Sequence, residues 1–330
     1  MNIICGQIVE KVIIDLISSR LYNKIYVTKY MQGEIMKKKT ILIIIIIAVV
    51  ALGMGIAGYV IYTRSVENSI SQNEDTNSES NKDEALTFVD AHGNWYQTII
   101  NPNVPKNPYD KNKFVSESGK MRYDDGTYTS RLGVDVSEHQ GDINWQEVKN
   151  SGIDFAFIRI GYRGYGESGV IKADVRFDDN IAKAKAAGID VGVYFFSQAI
   201  NEDEAREEAR FVLEHLQGRG LDLPIVYDPE NILDDVARTD NVTPEQFTKN
   251  TIAFNEVVKA AGYKPMIYSN MLWEAFQLDM TRLQEYPVWY ADYEPKPQTP
   301  YDFSFWQYSE KSTIPGISGI ADMNIEILKK

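Results

Sequence analysis

Asp228 and Glu230 stand one residue apart at the end of the apolar run Leu223-Pro224-Ile225-Val226-Tyr227, which reads as a buried strand leading out into carboxylates. Side chains at i and i+2 of an extended segment project to one face. Both carboxyls therefore share a space from which Pro229 points away. Two carboxyls at short range are equipped to pass a proton to a glycosidic oxygen and to support the cation that follows. A solvated strand end with two loop acids is the commoner source of such a triplet, so position and neighbours have to decide.

The elements that must position the pair are regular from Arg131 onward. Apolar segments at 132–136, 155–160, 190–196, 223–227 and 265–269 alternate with helical stretches at 144–151, 178–187, 202–217 and 244–261. The acids after Asn201 sit at the positive pole of one helix, and Gly188, Gly218 and Gly262 follow last turns. This alternation predicts parallel β/α units. Three more strands follow closely at 288–291, 303–308 and 319–323, which predicts an eight-stranded barrel with an irregular last third. Reactive groups of a parallel barrel belong at the carboxyl ends of its strands. Asp135, Tyr162, Tyr194, Phe196, Asp228, Glu230 and Tyr268 fall there, and Asp322 lies in the last strand. Four acids and a ring of aromatics at one mouth predict a carbohydrate cleft, with carboxyls for proton transfer and flat rings for stacking on sugars.

Gly133-Val-Asp-Val-Ser-Glu-His-Gln-Gly141, Asp228-x-Glu230, Trp289-Tyr-Ala-Asp-Tyr293, Trp306-Gln-Tyr-Ser309 and Asp322-Met-Asn324 together resemble glycoside hydrolase family 25, the Chalaropsis-type lysozymes. The resemblance covers roughly 131–330 and keeps the motifs in order. It implies an α/β fold of irregular TIM-like (β/α)5β3 type and cleavage of the β-1,4 bond between N-acetylmuramic acid and N-acetylglucosamine in peptidoglycan. Carried over by motif, Glu230 is the general acid/base, Asp228 its partner, and Asp135 and Asp322 further acids of the cleft. Tyr162, Tyr194, Phe196, Tyr268, Trp289, Asp292 and Gln307 are the expected substrate contacts. One departure is Pro229, where many relatives carry a bulky or aliphatic residue.

Two carboxyls leaving one strand on the same face are poorly placed to flank a bond as nucleophile and acid. The expectation is therefore a protonated Glu230 and an ionised Asp228 that orients the substrate's own 2-acetamido group, giving net retention. An inverting route with water activated by Asp135 or Asp322 is the alternative, and a catalytically weak wall-binding module is a third reading. No cofactor and no metal are expected: His92, His139 and His215 show no ligand spacing.

Outside this region the 330-residue chain is uneven. Residues 41–62 carry no charge for 22 positions, enough to cross a hydrocarbon core of roughly 30 Å. Lys37, Lys38 and Lys39 precede the run, which predicts a single-pass membrane anchor with the N-terminus inside and the large remainder outside. The expected layout is a cytoplasmic segment at 1–40, a transmembrane helix at 41–62, a disordered stalk at 63–84, an extension packed on the barrel at 85–130 and the hydrolase barrel at 131–330. Met36 opens an ordinary Met-Lys-Lys-Lys start, so residues 1–35 read as untranslated; peptides from them in the expressed protein would refute this. The one cysteine, Cys5, lies in that segment, leaving the exported part without a disulfide. Of 34 basic and 47 acidic residues, 8 and 3 lie through residue 64, so the remainder has a net charge of −18. So acidic a domain is a poor nucleic-acid binder, and membrane and peptidoglycan are the expected partners.

Several residues have plainer readings. His139 reads as a structural hydrogen-bonding residue, Asp142 as a helix start, and Trp273 and Phe276 as core. Asp292 is as well explained by pairing with a neighbouring base as by the cleft. Tyr165, in the loop 164–169, is as well explained by a plain loop as by sugar contact. In the extension, Phe88, Trp95, Tyr96, Ile99 and Ile100 are candidates for burial.

Overall fold

The computed structural model describes residues 84–330. The expected cytoplasmic segment, membrane helix and all but the last stalk residue lie outside the described residues. Among the described residues no helix is long and apolar enough to cross a membrane.

Two hairpins come first: β1 (Ala85–Val89) with β2 (Trp95–Ile99), and β3 (Phe114–Glu117) with β4 (Lys120–Tyr123). Then follow β5 (Tyr128–Val136), α1 (Trp145–Asn150), β6 (Phe155–Arg163), a short β7 (Ile171–Ala173), α2 (Phe177–Ala186), β8 (Asp190–Ser197) and α3 (Glu202–Leu216). The chain continues through β9 (Ile225–Pro229), α4 (Pro244–Ala260), β10 (Pro265–Asn270), α5 (Met271–Phe276), β11 (Val288–Ala291), β12 (Phe305–Ser312) and β13 (Ala321–Lys329). Eight strands, β5, β6 and β8 to β13, close into a ring, with β7 added on the outer edge of β6. All neighbours in the ring are parallel except β13, which is antiparallel to both β12 and β5.

Side-chain parity separates an inner from an outer core. Phe155, Phe157, Val226, Met266, Trp289 and Phe305 fill the barrel. Ala156, Ile158, Val191, Val193, Ile225 and Ile267 face the helices. Both faces are buried, so the strands read as apolar runs in the sequence. Two glycines are dictated by this filling. A Cβ at Gly133 would lie 2.3 Å from the Phe155 ring, and one at Gly192 would lie 2.5 Å from Phe157.

The helix ends follow the expected chemistry. Asn201 accepts from the Glu204 N–H, and Gly188, Gly218 and Gly262 take positive φ beyond α2, α3 and α4. Asp142 is not the helix start. Asn144 caps α1, and Asp142 pairs with Arg176. The last strand runs to Lys329 rather than 323, and β5 begins at Tyr128, because their outer halves pair with each other. Polar Arg131 and Glu326, ion-paired there, break the apolar pattern that would have marked them.

The N-terminal hairpins lie against the barrel through specific polar contacts. The Gln298 amide accepts from Val89 N (2.9 Å) and donates to Val89 O (2.8 Å), and the Tyr109 hydroxyl donates to Phe303 O (2.7 Å). Phe88 and Ile100 are buried, but Trp95 and Ile99 stand exposed on the outer face of β2. Trp273 is buried as expected. Phe276 is 43 % exposed, its ring 6.3 Å from those of Phe88 and Tyr96.

Glu274 in α5 is buried, with Oε2 accepting from Thr299 Oγ1 at 2.6 Å and Oε1 without a protein partner. Burial pushes its carboxyl up to about 8 from 4.5. Between these values the folded chain holds a proton that the unfolded chain has released, so stability falls as pH rises through that window. Glu274→Gln mimics the protonated acid. It is expected to leave the melting temperature at pH 5 nearly unchanged and to raise it at pH 8 by roughly 5–10 °C. Equal shifts at both pH values in thermal melts would show that Glu274 is not the titrating group.

Candidate active site

Ring closure gathers the acids. Asp135 near the end of β5 lies directly opposite Asp322 at the start of β13, because an antiparallel strand enters the barrel at the end where its parallel neighbours leave. Asp228 in β9 and Glu230 one residue beyond it come off the same face, as the D-x-E spacing predicts, and contact each other. A cavity of about 390 Å³ holds all four carboxyls, with Tyr194, Phe196, Tyr268 and Gln307 in its wall.

Amides organise the floor. Gln307 Nε2 donates to Asp135 Oδ2 (2.9 Å) and to Asp322 Oδ2 (3.3 Å), while its Oε1 accepts from the hydroxyls of Tyr268 (2.8 Å) and Tyr293 (3.0 Å). Asn324 Nδ2 donates to the same Asp135 oxygen at 2.8 Å, and its Oδ1 accepts from Trp289 Nε1 at 2.8 Å. Burial raises Asp135 above the usual carboxylate range, and the N–H donors of Asn324 and Gln307 oppose that shift. Burial and the charge of Asp135 push Asp322 up to about 9, so Asp322 holds the proton of this pair.

The second pair also holds one proton. Burial raises both groups, and Asp228 is raised well above the usual carboxylate range by burial, by Glu230 and by Asp135, with Arg159 opposing. Asp228 is 4 % exposed and its Oδ1 has no partner, whereas Glu230 is half-buried. The less solvated carboxyl keeps the proton. The raised Glu230 agrees with the expectation from sequence, whereas Asp228, expected to stay ionised, is raised as well.

Of the expected substrate contacts, Tyr162 and Asp292 lie outside the cavity wall, and Trp289 lies in it but deep. Trp289 is 1 % exposed, stacked on Phe157 with ring centroids 4.6 Å apart, and its indole N–H is taken by Asn324. It lines the cavity at its floor, with little of the ring exposed. Asp292 is buried outside the cavity, where it accepts from Tyr290 OH, Glu294 N and Gln298 N; it neither lines the cleft nor pairs with a base. Tyr162 is covered by the Arg159 guanidinium at 5.0 Å, and Arg159 lines the cavity in its place. A register shift between Arg159 and Gly161 brings these two side chains together. His139, expected to be structural, is exposed on a 3-10 turn after β5 and lines the cavity.

Sequence reasoning missed Arg159, Tyr293 and Glu310 in the cavity wall. Arg159 had a signal: it shares parity with Phe155 and Phe157, which point into the barrel. Tyr293 closes the motif Trp289-Tyr-Ala-Asp-Tyr293 but lies past its strand, and Glu310, within the irregular β12, had no signal. Tyr165 is absent from the cavity wall, and its hydroxyl donates to Asp235 Oδ2 at 3.3 Å.

The family model for glycosyl hydrolases family 25 matches residues 134–317. An autolytic lysozyme of Clostridium acetobutylicum is 25 % identical over 193 residues, which cover 58 % of this chain and 54 % of that protein. Lysozyme M1 of Streptomyces globisporus is 30 % identical over 202 residues, covering 58 % and 66 %. The chain thus spans about half the length of the first of these relatives and just under two thirds of the second. Two solved structures share the fold. The modular autolysin LytC of Streptococcus pneumoniae has a TM-score of 0.54 at 24 % identity, covering 76 % of this chain and 58 % of its own. A family 25 glycosyl hydrolase of Bacillus anthracis has 0.51 at 22 %, covering 64 % and 94 %.

Proposed function

The chain belongs to glycosyl hydrolases family 25, and from that premise we propose that it is a peptidoglycan hydrolase cutting the β-1,4 bond between N-acetylmuramic acid and N-acetylglucosamine. The observation that carries this reading is the facing of two carboxyl pairs across one cavity at the barrel mouth. The names of the two lysozymes support the substrate class.

Glu230 is the general acid/base and Asp228 its helper. In the free protein the shared proton rests on Asp228. A substrate acetamido N–H donated to Asp228 favours its ionised form and returns the proton to Glu230. Glu230 then protonates the leaving oxygen as the C1–O bond breaks, and the acetamido carbonyl oxygen attacks C1. The ionised Asp228 holds the N–H of the resulting oxazolinium. Water, giving its proton to Glu230, opens that ring from the opposite face with net retention. Asp135, whose ionised form Gln307 and Asn324 favour against its burial, supports positive charge at the anomeric carbon, with Asp322 beside it. Tyr194 and Phe196, half-buried in the cavity wall, are the aromatic contacts, with Tyr268 and Trp289 deeper in the same wall. Residues 41–62 tether the domain to the outer face of the cell membrane, and the stalk at 63–84 keeps it near the membrane.

The test is mass spectrometry of muropeptides released from purified peptidoglycan, with proton NMR of the first-formed product. Fragments ending in reducing N-acetylmuramic acid as the β-anomer are expected. A first-formed α-anomer would replace the substrate-assisted scheme with the inverting one, in which Asp135 or Asp322 activates water. Binding without turnover would leave a wall-binding module.

A further inference from the structure

We infer that Gln198 is a positioning residue for Glu230: its side-chain amide staples together the two ends of the loop that follows the catalytic acid. The inference rests on the hydrolase reading for its kinetic consequence, but the staple itself is independent of it.

Glu230 lies one residue beyond β9, whose last paired residue is Pro229, opposite Ser197. Its backbone has therefore left the ladder where its side chain must be placed most accurately. The next residues, Asn231-Ile-Leu-Asp-Asp-Val-Ala-Arg238, offer little packing before Ala237, which is buried. Leu233 is 74 % and Val236 80 % exposed, so the loop tip carries its apolar side chains outward.

What holds the loop is at its two ends. Gln198, next after β8 and 1 % exposed, donates from Nε2 to the Glu230 carbonyl at 2.6 Å. Its Oε1 accepts from Thr239 Oγ1 at 2.8 Å, and Thr239 is 3 % exposed. One buried amide thus bridges residues 230 and 239. The far end is secured further by Arg238, which donates two hydrogen bonds of 2.8 Å to Glu204 and one of 3.3 Å to the Gln198 carbonyl. Buried amides with both ends satisfied specify one arrangement, and losing one end strands a desolvated group. Gln198 is absent from the cavity wall, so it acts through the Glu230 backbone.

A misplacement of about 1 Å at a reacting group can cost on the order of 100-fold in rate. Gln198→Met keeps the shape and removes both hydrogen bonds. It is expected to lower kcat on soluble glycan strands about tenfold or more with KM within twofold. The amides of Ala237 and Arg238, now bonded to Asp240 Oδ2 and Tyr165 O, should exchange with deuterium faster. Thr239→Val, which opens one half of the staple, should fall between.

Gln198→Glu supplies the reading that a merely structural residue would not give. An ionised carboxylate still accepts from Thr239 but repels the Glu230 carbonyl, whereas a protonated one donates to it. The variant's kcat relative to wild type should therefore rise as pH falls from 8 to 5. A Gln198→Met protein retaining more than half of wild-type kcat, or a pH-independent Gln198→Glu ratio, overturns the positioning role. Unchanged exchange at 237–238 overturns the staple. Faster exchange in a protein whose wild type releases no muropeptides upholds the staple and counts against the hydrolase reading alone.

Discussion

Glu230→Gln lowers kcat/KM on soluble peptidoglycan by at least about 100-fold, the lower range for loss of a positioned general acid. A Gln side chain keeps the shape and cannot deliver a proton. Stability should hold or rise at neutral pH, because the substitution removes one of two buried carboxyls that oppose each other's ionisation. The fold is therefore a built-in control: a loss of activity with an unchanged melting curve assigns the effect to chemistry. Residual activity above about one per cent of wild type would mean that the acid lies elsewhere, with Asp322, which also holds a proton in the free protein, as the next candidate.

Asp228→Asn is expected to produce a loss of similar order together with a displaced pH profile. An amide at 228 cannot accept the acetamido N–H as a carboxylate does, so the attacking oxygen loses its orientation. The displacement follows from the shared proton. In the wild type, Glu230 must be protonated to act, and the second carboxyl helps keep a proton in the pair to high pH. An amide N–H facing Glu230 instead favours its ionised form. The alkaline limb of kcat/KM should therefore move to lower pH, by about one unit or more. A profile that keeps its alkaline limb while activity falls would separate Asp228 from the proton on Glu230 and confine it to substrate orientation.

Much of the architecture was legible before any coordinates. Five strands with intervening helical stretches lie where their apolar runs placed them, and the two-residue period put Asp228 and Glu230 on one face. The ends of β5 and β13 were less visible, since Arg131 and Glu326 interrupt the apolar pattern to pair across the two strands. Aromatic residues were the least reliable guide. Ring chemistry alone does not distinguish Tyr194, which lines the cleft, from Tyr162, which lies outside the cavity wall under the Arg159 guanidinium.

Local periodicity and residue type dictated which side chains face inward and which acids can work as a pair, because those depend on neighbours one to four positions away. Ring closure decided the rest. It set Asp322 beside Asp135, brought Gln307 and Asn324 onto the same carboxylate oxygen, and placed Gln198 under the Glu230 carbonyl from 32 residues away. It also set how far each acid is pushed from the usual carboxylate range, because that turns on depth of burial and on donors brought from distant strands.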